Sequence, residues 1–427
     1  MNVVFLSPYV PFPSRTGGHR RVAALLRALA GFAQVHVMAI GDPALDYTEA
    51  RRQLADACGG TLEVFGPAGP EPWSPLTRYA VDRLPDAAPH FWSPPLLEAL
   101  ERRLAASPPD VLHVEELVMA PYATNAAVPR ILSRQKVECV FHESAAALGL
   151  GDAAWQRAEA ERFRRWEARV APYFDAAFVP GAGDVAALAP WHSADRVHVV
   201  PIVVEDAFVR PADRTAAVRQ VVIYGTLDYL PNIDAYGRYF REVWPRVRAE
   251  HAELVTVVVG SGEVPSCIPR DDARVLVRGF VEDVASVLQG PGALVVPLRI
   301  GGGARTKILE AMACGMPVVS TALGAENIGA VDGRHYRAAE TPDAFVSAIL
   351  DLAGDPARAE ALGRNAAAHV DAGFRLAAVE ASARPVFRAL AAQARSIGRV
   401  GAPPAPTSAA AGLRGVVERM ARWLRSS

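Results

Sequence analysis

A glycine-rich segment followed by charged residues is the part of this sequence best suited to chemistry. Residues 301–303 are all glycine, and Arg305, Lys307 and Glu310 follow within two helical turns. Glycines let an anion approach the main chain, and Arg and Lys supply positive charge for phosphate oxygens. Glu310 shares a helix face with Lys307, so its carboxylate can accept hydrogen bonds from ribose hydroxyls. The pattern suits a nucleotide diphosphate, but a flexible loop with an exposed Lys–Glu pair explains it equally well.

The chemistry that such a site serves is the departure of a diphosphate from a sugar. Negative charge gathers on the diphosphate as the bond breaks, and fixed amide groups and cations can stabilise that charge without a metal ion. The sequence has no Asp-x-Asp motif for a metal. We therefore expect a nucleotide diphosphate sugar as co-substrate, no metal site and no further cofactor.

A shorter glycine pair near the N-terminus has a similar setting. Gly17 and Gly18 follow an apolar run and open a segment of helical period, with Arg20 and Arg21 in its first turn. Backbone N–H groups and the helix dipole at such a start attract anions. A glycine pair before a helix is at least as often a plain turn, so the pair alone does not establish a binding site.

The elements that must position these glycines are predicted to be parallel strands. Short apolar runs alternate with segments of helical period, which is typical of strand–helix–strand units. The predicted strands are residues 3–6, 34–39, 61–65, 111–114, 130–132, 176–179, 197–200, 221–224, 254–259, 274–277, 293–298 and 318–320. We therefore predict an α/β fold of two doubly wound, Rossmann-like domains that face each other across a cleft.

The length and charge of the chain agree with this division. A chain of 427 residues exceeds what one hydrophobic core usually organises. A net charge of -1 gives no global basic field, so nucleic acid is not an expected partner. The predicted parts are a first domain over 1–205, a second over 206–375, a helix over 376–396, an Ala/Pro-rich linker over 397–412 and a terminal helix over 413–427.

Cysteine spacing and hydropathy indicate in which cellular compartment the protein is expected. The four cysteines are far apart and show neither a metal-ligand spacing nor a dense disulfide framework. The apolar run at residues 3–6 is too short for a signal sequence, and no later run approaches membrane-spanning length. We expect a cytoplasmic protein.

Several motifs, in order, resemble those of one family. The stretch from Val295 to Thr321, which contains the glycines and charged residues described above, resembles the signature of glycosyltransferase family 4. Further matches are residues 8–21, 225–232 and 279–283. The resemblance covers nearly residues 1–380. It implies the GT-B fold, a helix 376–396 that packs back on the first domain, and transfer with retention of anomeric configuration through front-face attack assisted by the departing phosphate.

The resemblance also implies roles for matching positions. Gly18 would lie against the donor phosphates, Arg305 and Lys307 would hold the diphosphate, and Glu310 would bind ribose. The main chain near Phe280 would receive the base. The implied donor-binding residues are Gly18, Gly279, Phe280, Gly302, Gly303, Arg305, Lys307 and Glu310.

Three departures from the family pattern limit what can be carried over. Many members have two glutamates flanking seven residues, but the earlier position here is Gly302. Many also have a basic pair just after the first strand of the second domain, where this chain has residues 229–232. The common Pro-Asn-Gly turn after the seventh strand is replaced by residues 201–203. Arg305 and Lys307 must therefore neutralise a larger share of the phosphate charge.

Acceptor chemistry is expected from the first domain, where polar residues follow two strands. Glu115 can orient or deprotonate an acceptor hydroxyl, His113 can touch the sugar, and Glu138 is a third candidate. A lone His or Glu at a strand end is more often a structural hydrogen bonder, so this structural role remains the alternative. A glycan, a lipid-linked molecule or a small molecule all remain open as acceptor.

The C-terminal residues 413–427 form a basic amphipathic pattern. Apolar residues make one helical stripe, with four arginines beside it. Such a helix can lie in an anionic membrane interface, which predicts peripheral contact with the inner face of the membrane. A helix docked on protein is the alternative.

Other functions stay open beside sugar transfer. A nucleotide-sugar epimerase on the same scaffold needs acid and base groups around the sugar, whereas the single-Glu signature favours transfer. A catalytically degenerate partner of an active transferase is disfavoured by the intact Arg305, Lys307 and Glu310. A nicotinamide oxidoreductase is less compatible, since no Gly-x-Gly-x-x-Gly follows the first strand.

Overall fold

The computed structural model describes most of the chain. Described are residues 1–14, 16–67, 85–124, 126–212, 214, 217–303 and 305–396. The predicted linker 397–412 and terminal helix 413–427 lie outside these residues.

Thirteen strands of the described chain form two parallel sheets. The first sheet contains β1 (Asn2–Ser7), β2 (Gln34–Ile40), β3 (Thr61–Phe65), β4 (Val111–Glu115), β5 (Arg130–Ser133), β6 (Ala176–Val179) and β7 (Val197–Val199). The second contains β8 (Gln220–Tyr224), β9 (Val255–Val259), β10 (Val275–Gly279), β11 (Gly292–Val296), β12 (Val318–Ser320) and β13 (Arg337–Ala338). Their orders are β3-β2-β1-β4-β5-β6-β7 and β10-β9-β8-β11-β12-β13.

Helices connect these strands and cover the sheets. In the first half they are α1 (Gly17–Leu29), α2 (Thr48–Cys58), α3 (Pro94–Ala106), α4 (Glu138–Ala147), α5 (Ala153–Val170) and α6 (Ala182–Leu188). In the second half they are α7 (Leu230–Arg238), α8 (Trp244–Glu250), α9 (Val284–Gln289), α10 (Thr306–Ala313), α11 (Pro342–Gly354), α12 (Pro356–Gly373) and α13 (Leu376–Ser396).

Local sequence explains how α1 forms beside the first glycine pair. The Thr16 side chain caps the helix by accepting a hydrogen bond from the His19 backbone N–H, at 3.3 Å. Val22, Leu25 and Leu29 recur at helical spacing and are buried against β1 and β2. The helix is thereby fixed with its N-terminus at the carboxyl end of β1.

Each sheet is buried on both faces, as expected for parallel strands covered by helices. Two apolar clusters flank the first sheet and two flank the second. The predicted pair of doubly wound α/β domains is confirmed. No helix of the described residues is both long and apolar enough to cross a membrane.

The last described helix, α13, follows the second sheet in sequence but packs on the first. Val379, Ala383, Phe387 and Leu390 are buried in the cluster that contains β1, β2 and α1. Arg384 Nε also donates to the backbone oxygen of Ala28, at 2.9 Å. The chain therefore crosses between its two halves twice.

Candidate active site

The candidate site lies where both sheets reverse their strand order. The order reverses at β1 and β4 in the first sheet and at β8 and β11 in the second. Ligands of doubly wound sheets bind outside the carboxyl ends of strands at such reversals. The segments after these four strands hold Gly18, Glu116, Gly225 and the glycines 301–303.

The glycine segment 301–303 packs directly against the first domain. Gly303 has a left-handed φ of 68°, and a Cβ there would clash with the backbone oxygen of Gln135. A Cβ on Gly302 would lie 2.7 Å from the Cβ of Lys136. A glutamate at position 302 would have to displace Lys136. The glycines thus allow close approach of the two domains.

Arg305 lies folded beneath this glycine segment. Its Nη1 donates to the backbone oxygens of Gly302, at 2.6 Å, and Gly303. The side chain is buried, and burial lowers the pKa of the guanidinium while Glu326 opposes this effect. Its Nε has no hydrogen-bond partner among the described residues. Arg305 therefore stabilises the glycine segment, and its predicted contact with phosphate stays a prediction.

Lys307 lies on the first turn of α10 and points towards β8. Its Nζ donates to Asn232 Oδ1 at 2.8 Å, and a Cβ on Gly225 would lie 2.6 Å from the same Nζ. Burial, with a further contribution from Arg305, lowers the pKa of this ammonium to about 7. A diphosphate beside Lys307 would favour its charged form.

Glu310 is enclosed between the two domains. It is 1% exposed, so the alternative of an exposed intrahelical Lys–Glu pair is wrong. Its Oε1 forms an ion pair with Nη1 of Arg20, which lies on α1. Burial raises the pKa of Glu310 to about 7, against the opposing charge of Arg20. Glu310, the residue predicted to bind ribose, is therefore a buried carboxylate that is paired with Arg20 of the first domain.

Gly18 has no room for a side chain. A Cβ there would lie 2.8 Å from the Tyr9 hydroxyl and 2.9 Å from Gln135 Oε1. Gln135 Nε2 donates to the Tyr9 hydroxyl at 2.6 Å. On the donor side, a Cβ on Gly17 would lie 3.2 Å from Thr306 Oγ1. The two glycine segments predicted separately thus lie at one interface.

The acceptor candidates Glu115 and His113 are both fully buried. The His113 Nε2 lies 3.3 Å from Glu115 Oε2, and the imidazole stacks on Phe5 with ring centroids 4.1 Å apart. Burial lowers the pKa of His113. The neutral imidazole therefore lies beneath Glu115, where it can position that carboxylate but has no exposed surface of its own.

Glu115 connects to the domain interface through one further residue. Its Oε1 lies 3.5 Å from Nε2 of Gln135, which in turn contacts the Tyr9 hydroxyl. Burial acts to raise the pKa of Glu115, but His113 and Arg21 outweigh burial and the pKa is lowered. An ionised Glu115 can thus orient the polar side chain of Gln135 at the domain interface.

Glu138 is part of a buried ionic cluster. Its Oε2 pairs with Nη2 of Arg134, and Nη1 of Arg134 pairs with Glu167. His192 Nε2 lies 3.3 Å from the second oxygen of Glu167. This cluster fixes the loop after β5, and the predicted catalytic role of Glu138 stays a prediction.

Glu116 is a residue that the sequence did not single out. It has a φ of 67°, in the region that favours glycine, directly after β4. Burial, with Glu138 and Glu115 nearby, raises the pKa of Glu116 to about 8. The sequence predicted an acceptor-side role for the neighbouring Glu115 and gave no signal for Glu116. The left-handed backbone of Glu116 becomes visible only in the structure.

The predicted base contact lies at the other end of the second sheet. Phe280, directly after β10, is 72% exposed, and Gly279 has a φ of 63° with open space around its Cα. Three strand spacings separate β10 from β11, or roughly 14 Å along the sheet edge. The edge can therefore accommodate an extended ligand between the glycine segment and Phe280.

Family comparisons cover both halves of the chain. Residues 16–202 match the family described as "Glycosyl transferase 4-like domain". Residues 218–355 match the family described as "Glycosyl transferases group 1". The second match contains the glycines, Arg305, Lys307 and Glu310, and the first contains Gly18, His113, Glu115 and Glu138.

One curated protein is similar in sequence to part of this chain. The GDP-mannose-dependent monoacylated alpha-(1-6)-phosphatidylinositol monomannoside mannosyltransferase of Corynebacterium glutamicum is 28% identical over 142 residues. That alignment spans 30% of this chain and 37% of the relative's length.

Solved structures match over almost the whole described chain. Sucrose-phosphate synthase from Thermosynechococcus elongatus has a TM-score of 0.68 at 17% identity, covering 92% of this chain and 100% of that one. The Anabaena protein HepE, in complex with UDP and glucose, has a TM-score of 0.64 at 13% identity, covering 91% and 99%. With two Rossmann-like sheets and both family matches in chain order, this chain belongs to the group 1 glycosyltransferases of family 4 and has the GT-B fold.

Proposed function

We propose that this chain transfers a sugar from a nucleotide diphosphate sugar to an acceptor hydroxyl. The proposal depends on one observation: Arg305, Lys307 and Glu310 lie together at the reversal point of the second sheet, facing the glycine start of α1. Two cations beside a glycine segment suit a diphosphate, and a buried carboxylate suits ribose hydroxyls.

The proposed reaction exchanges one bond at the anomeric carbon for another. The bond to the diphosphate oxygen breaks, the bond to the acceptor oxygen forms, and the acceptor proton passes to the departing phosphate. Arg305 and Lys307 stabilise the charge that develops on the diphosphate, without a metal ion. Attack on the face from which the diphosphate departs gives retention of configuration.

The acceptor side of this proposal rests on the first domain. The buried Glu115 and the Tyr9–Gln135 pair border Gly18, on the side of the interface opposite α10. They orient the acceptor hydroxyl through hydrogen bonds, and His113 positions Glu115. A lipid-linked acceptor is the first class to test, because the curated relative is named for a phosphatidylinositol mannoside.

Nucleotide binding tests the proposal. Isothermal calorimetry with UDP, GDP, ADP, TDP and CMP, with and without a divalent metal, identifies the base. UDP and GDP come first, because the names of the similar proteins contain them. We expect one nucleoside diphosphate to bind without metal and Glu310→Gln to weaken it about 10- to 100-fold, the value of one or two charged hydrogen bonds.

A matched control and a product assay complete the experiment. Glu250→Gln changes an exposed carboxylate at the end of α8 and should leave affinity unchanged. With the matching nucleotide sugar, NMR of the product reports the anomeric configuration. If none of the five nucleotides binds the wild-type protein, the proposed function is wrong.

A further inference from the structure

Arg20 joins the two domains at the candidate ribose site. It lies on α1, and its Nη1 pairs with Oε1 of Glu310, 290 residues away on α10. The side chains of Arg20 and Glu310 are 17% and 2% exposed. The contact therefore forms across the domain interface and is shielded from water.

Arg20 is held in this position by the connection between the sheets. Its guanidinium lies 5.6 Å from the ring centroid of Phe208. Its Nε lies 4.0 Å from Glu205 Oε2. Both residues belong to the segment between β7 and β8, so Arg20 contacts the first domain, the connection and the donor helix at once.

The charge state of Glu310 depends on its neighbours. Burial raises the pKa of the carboxyl to about 7; Arg20, Tyr224 and Lys307 act to lower it, and Glu205 acts to raise it. Of the two cations, Lys307 is hydrogen-bonded to Asn232. Arg20 is the cation in direct contact with the carboxylate.

The second oxygen of this carboxylate is available for a ligand. Glu310 Oε2 is buried and has no hydrogen-bond partner of good geometry among the described residues. The Tyr224 hydroxyl also lies beside this carboxylate, and its hydrogen bonding lowers the pKa of Glu310. A buried acceptor without a partner is unfavourable, and a ligand hydroxyl would remove that penalty. Because Arg20 occupies Oε1, it fixes the direction in which Oε2 points.

We propose that Arg20 is a positioning residue that keeps Glu310 ionised and oriented for ribose, so that the ribose site is complete only when the first domain contacts α10. This inference rests on the proposed function, since it assumes that a nucleotide occupies the site. It adds a residue from the opposite domain and a dependence on domain contact.

The test compares a ribonucleotide with an analogue that lacks both ribose hydroxyls. The ligands are UDP or GDP, whichever the wild-type protein binds more tightly, and the corresponding 2′,3′-dideoxynucleotide, measured by calorimetry between about pH 6 and pH 9. We expect Arg20→Gln to weaken the ribonucleotide about tenfold near pH 7 and to change the affinity for the dideoxy analogue by less than about twofold.

The pH profile separates positioning from a loss of structure. Without Arg20 the pKa of Glu310 rises further, so raising the pH ionises the carboxylate again. The ratio of variant to wild-type Kd should therefore fall as the pH rises. Arg20→Lys retains the charge and should restore most of the affinity. Arg27→Gln is the control, because Arg27 lies two turns further along the same helix and contacts Glu205, at 3.6 Å, but is not paired with Glu310.

Results that contradict the role of Arg20 can be distinguished from results that contradict the proposed function. Wild-type protein that binds no nucleotide contradicts the proposed function itself. Binding by wild type with unchanged or tighter binding by Arg20→Gln shows that the arginine only competes with the ligand, and overturns this inference. Equal losses for both nucleotides also overturn it, because Arg20 would then act on the phosphates. Thermal unfolding confirms that each variant is folded.

Discussion

Two ionisable residues of the candidate site, one acidic and one basic, have pKa values that are shifted towards pH 7. Burial raises the pKa of Glu310 from 4.5 to about 7 and lowers that of Lys307 from 10.5 to about 7. Both lie on α10 within one turn. Without a ligand, the charged and neutral forms of each group are about equally populated near pH 7, and a bound nucleotide diphosphate would favour both charged forms.

Nucleotide affinity should therefore depend on pH in a bell shape. Below about pH 7 Glu310 becomes protonated and loses the charge that strengthens its hydrogen bonds from ribose, and above about pH 7 Lys307 loses the charge that attracts phosphate. We expect the affinity for the nucleoside diphosphate to be greatest near pH 7 and to fall up to tenfold per pH unit on either side. Calorimetry across pH measures both limbs.

Two variants test which residue causes each limb of this pH profile. Glu310→Gln should remove the acid limb, and Lys307→Arg, which stays charged, should remove the alkaline limb. A profile that is flat in the wild-type protein, or limbs that persist in both variants, would contradict the assignment.

At the scale of elements, α13 connects the end of the chain to the acceptor side. Phe387 is fully buried, and its ring lies 5.8 Å from both His113 and Phe178. His113 in turn contacts Glu115. The helix therefore supports the floor of the first-domain site from a position distant in sequence.

Truncating Phe387 should destabilise the protein strongly. We expect Phe387→Ala to lower the free energy of unfolding by about 3–5 kcal/mol, because it removes a buried ring and leaves a cavity. Phe387→Leu, which keeps most of the volume, should cost less than about 1.5 kcal/mol. Urea titration followed by circular dichroism measures both, and a loss for Phe387→Ala no larger than that for Phe387→Leu would contradict this prediction.

The elements were largely predictable from the sequence, because buried parallel strands are continuous apolar runs. All twelve predicted strands are present, most within one or two residues of their bounds. The missed strand β13 has two residues, Arg337 and Ala338, and no apolar pattern. The residues of α10 were found through their glycine context.

Contacts between residues far apart in sequence were not predictable in this way. Nothing in the local pattern of α1 indicates that Arg20 meets Glu310, since that pair depends on how the two domains face each other. The left-handed backbone of Glu116 has no sequence signal either, because glutamate rarely adopts it.

At the scale of the whole molecule, a second contact joins the domains beside the candidate site. Asn327, in the second domain, accepts from the backbone N–H of Gly183 through Oδ1, at 2.8 Å. Its Nδ2 donates to Asp184 Oδ2 at 3.0 Å. Burial raises the pKa of Asp184 to about 6. With the Arg20–Glu310 pair, this contact holds the glycine segment against the first domain.

Loosening this contact should open the nucleotide-free protein. Asn327 has a φ of 66°, which glycine adopts freely, so Asn327→Gly removes two hydrogen bonds without adding backbone strain. At about 0.5–1.5 kcal/mol each, their loss shifts the closed-to-open ratio roughly 5- to 150-fold. We expect a larger radius of gyration by small-angle X-ray scattering, returning to the wild-type value with saturating nucleotide.

A second variant makes the same opening depend on pH. Asn327→Asp retains the acceptor for Gly183 but places a carboxylate beside Asp184, and two such groups at hydrogen-bond distance cannot both ionise without repulsion. Below about pH 6 one proton is shared and the domains stay in contact; as the pH rises the shared proton is lost and the protein opens. Wild-type protein should show no such transition. Scattering curves that coincide for all three proteins at every pH would mean that Asn327 does not control the contact, leaving the Arg20–Glu310 pair as the contact that sets how closely the domains approach.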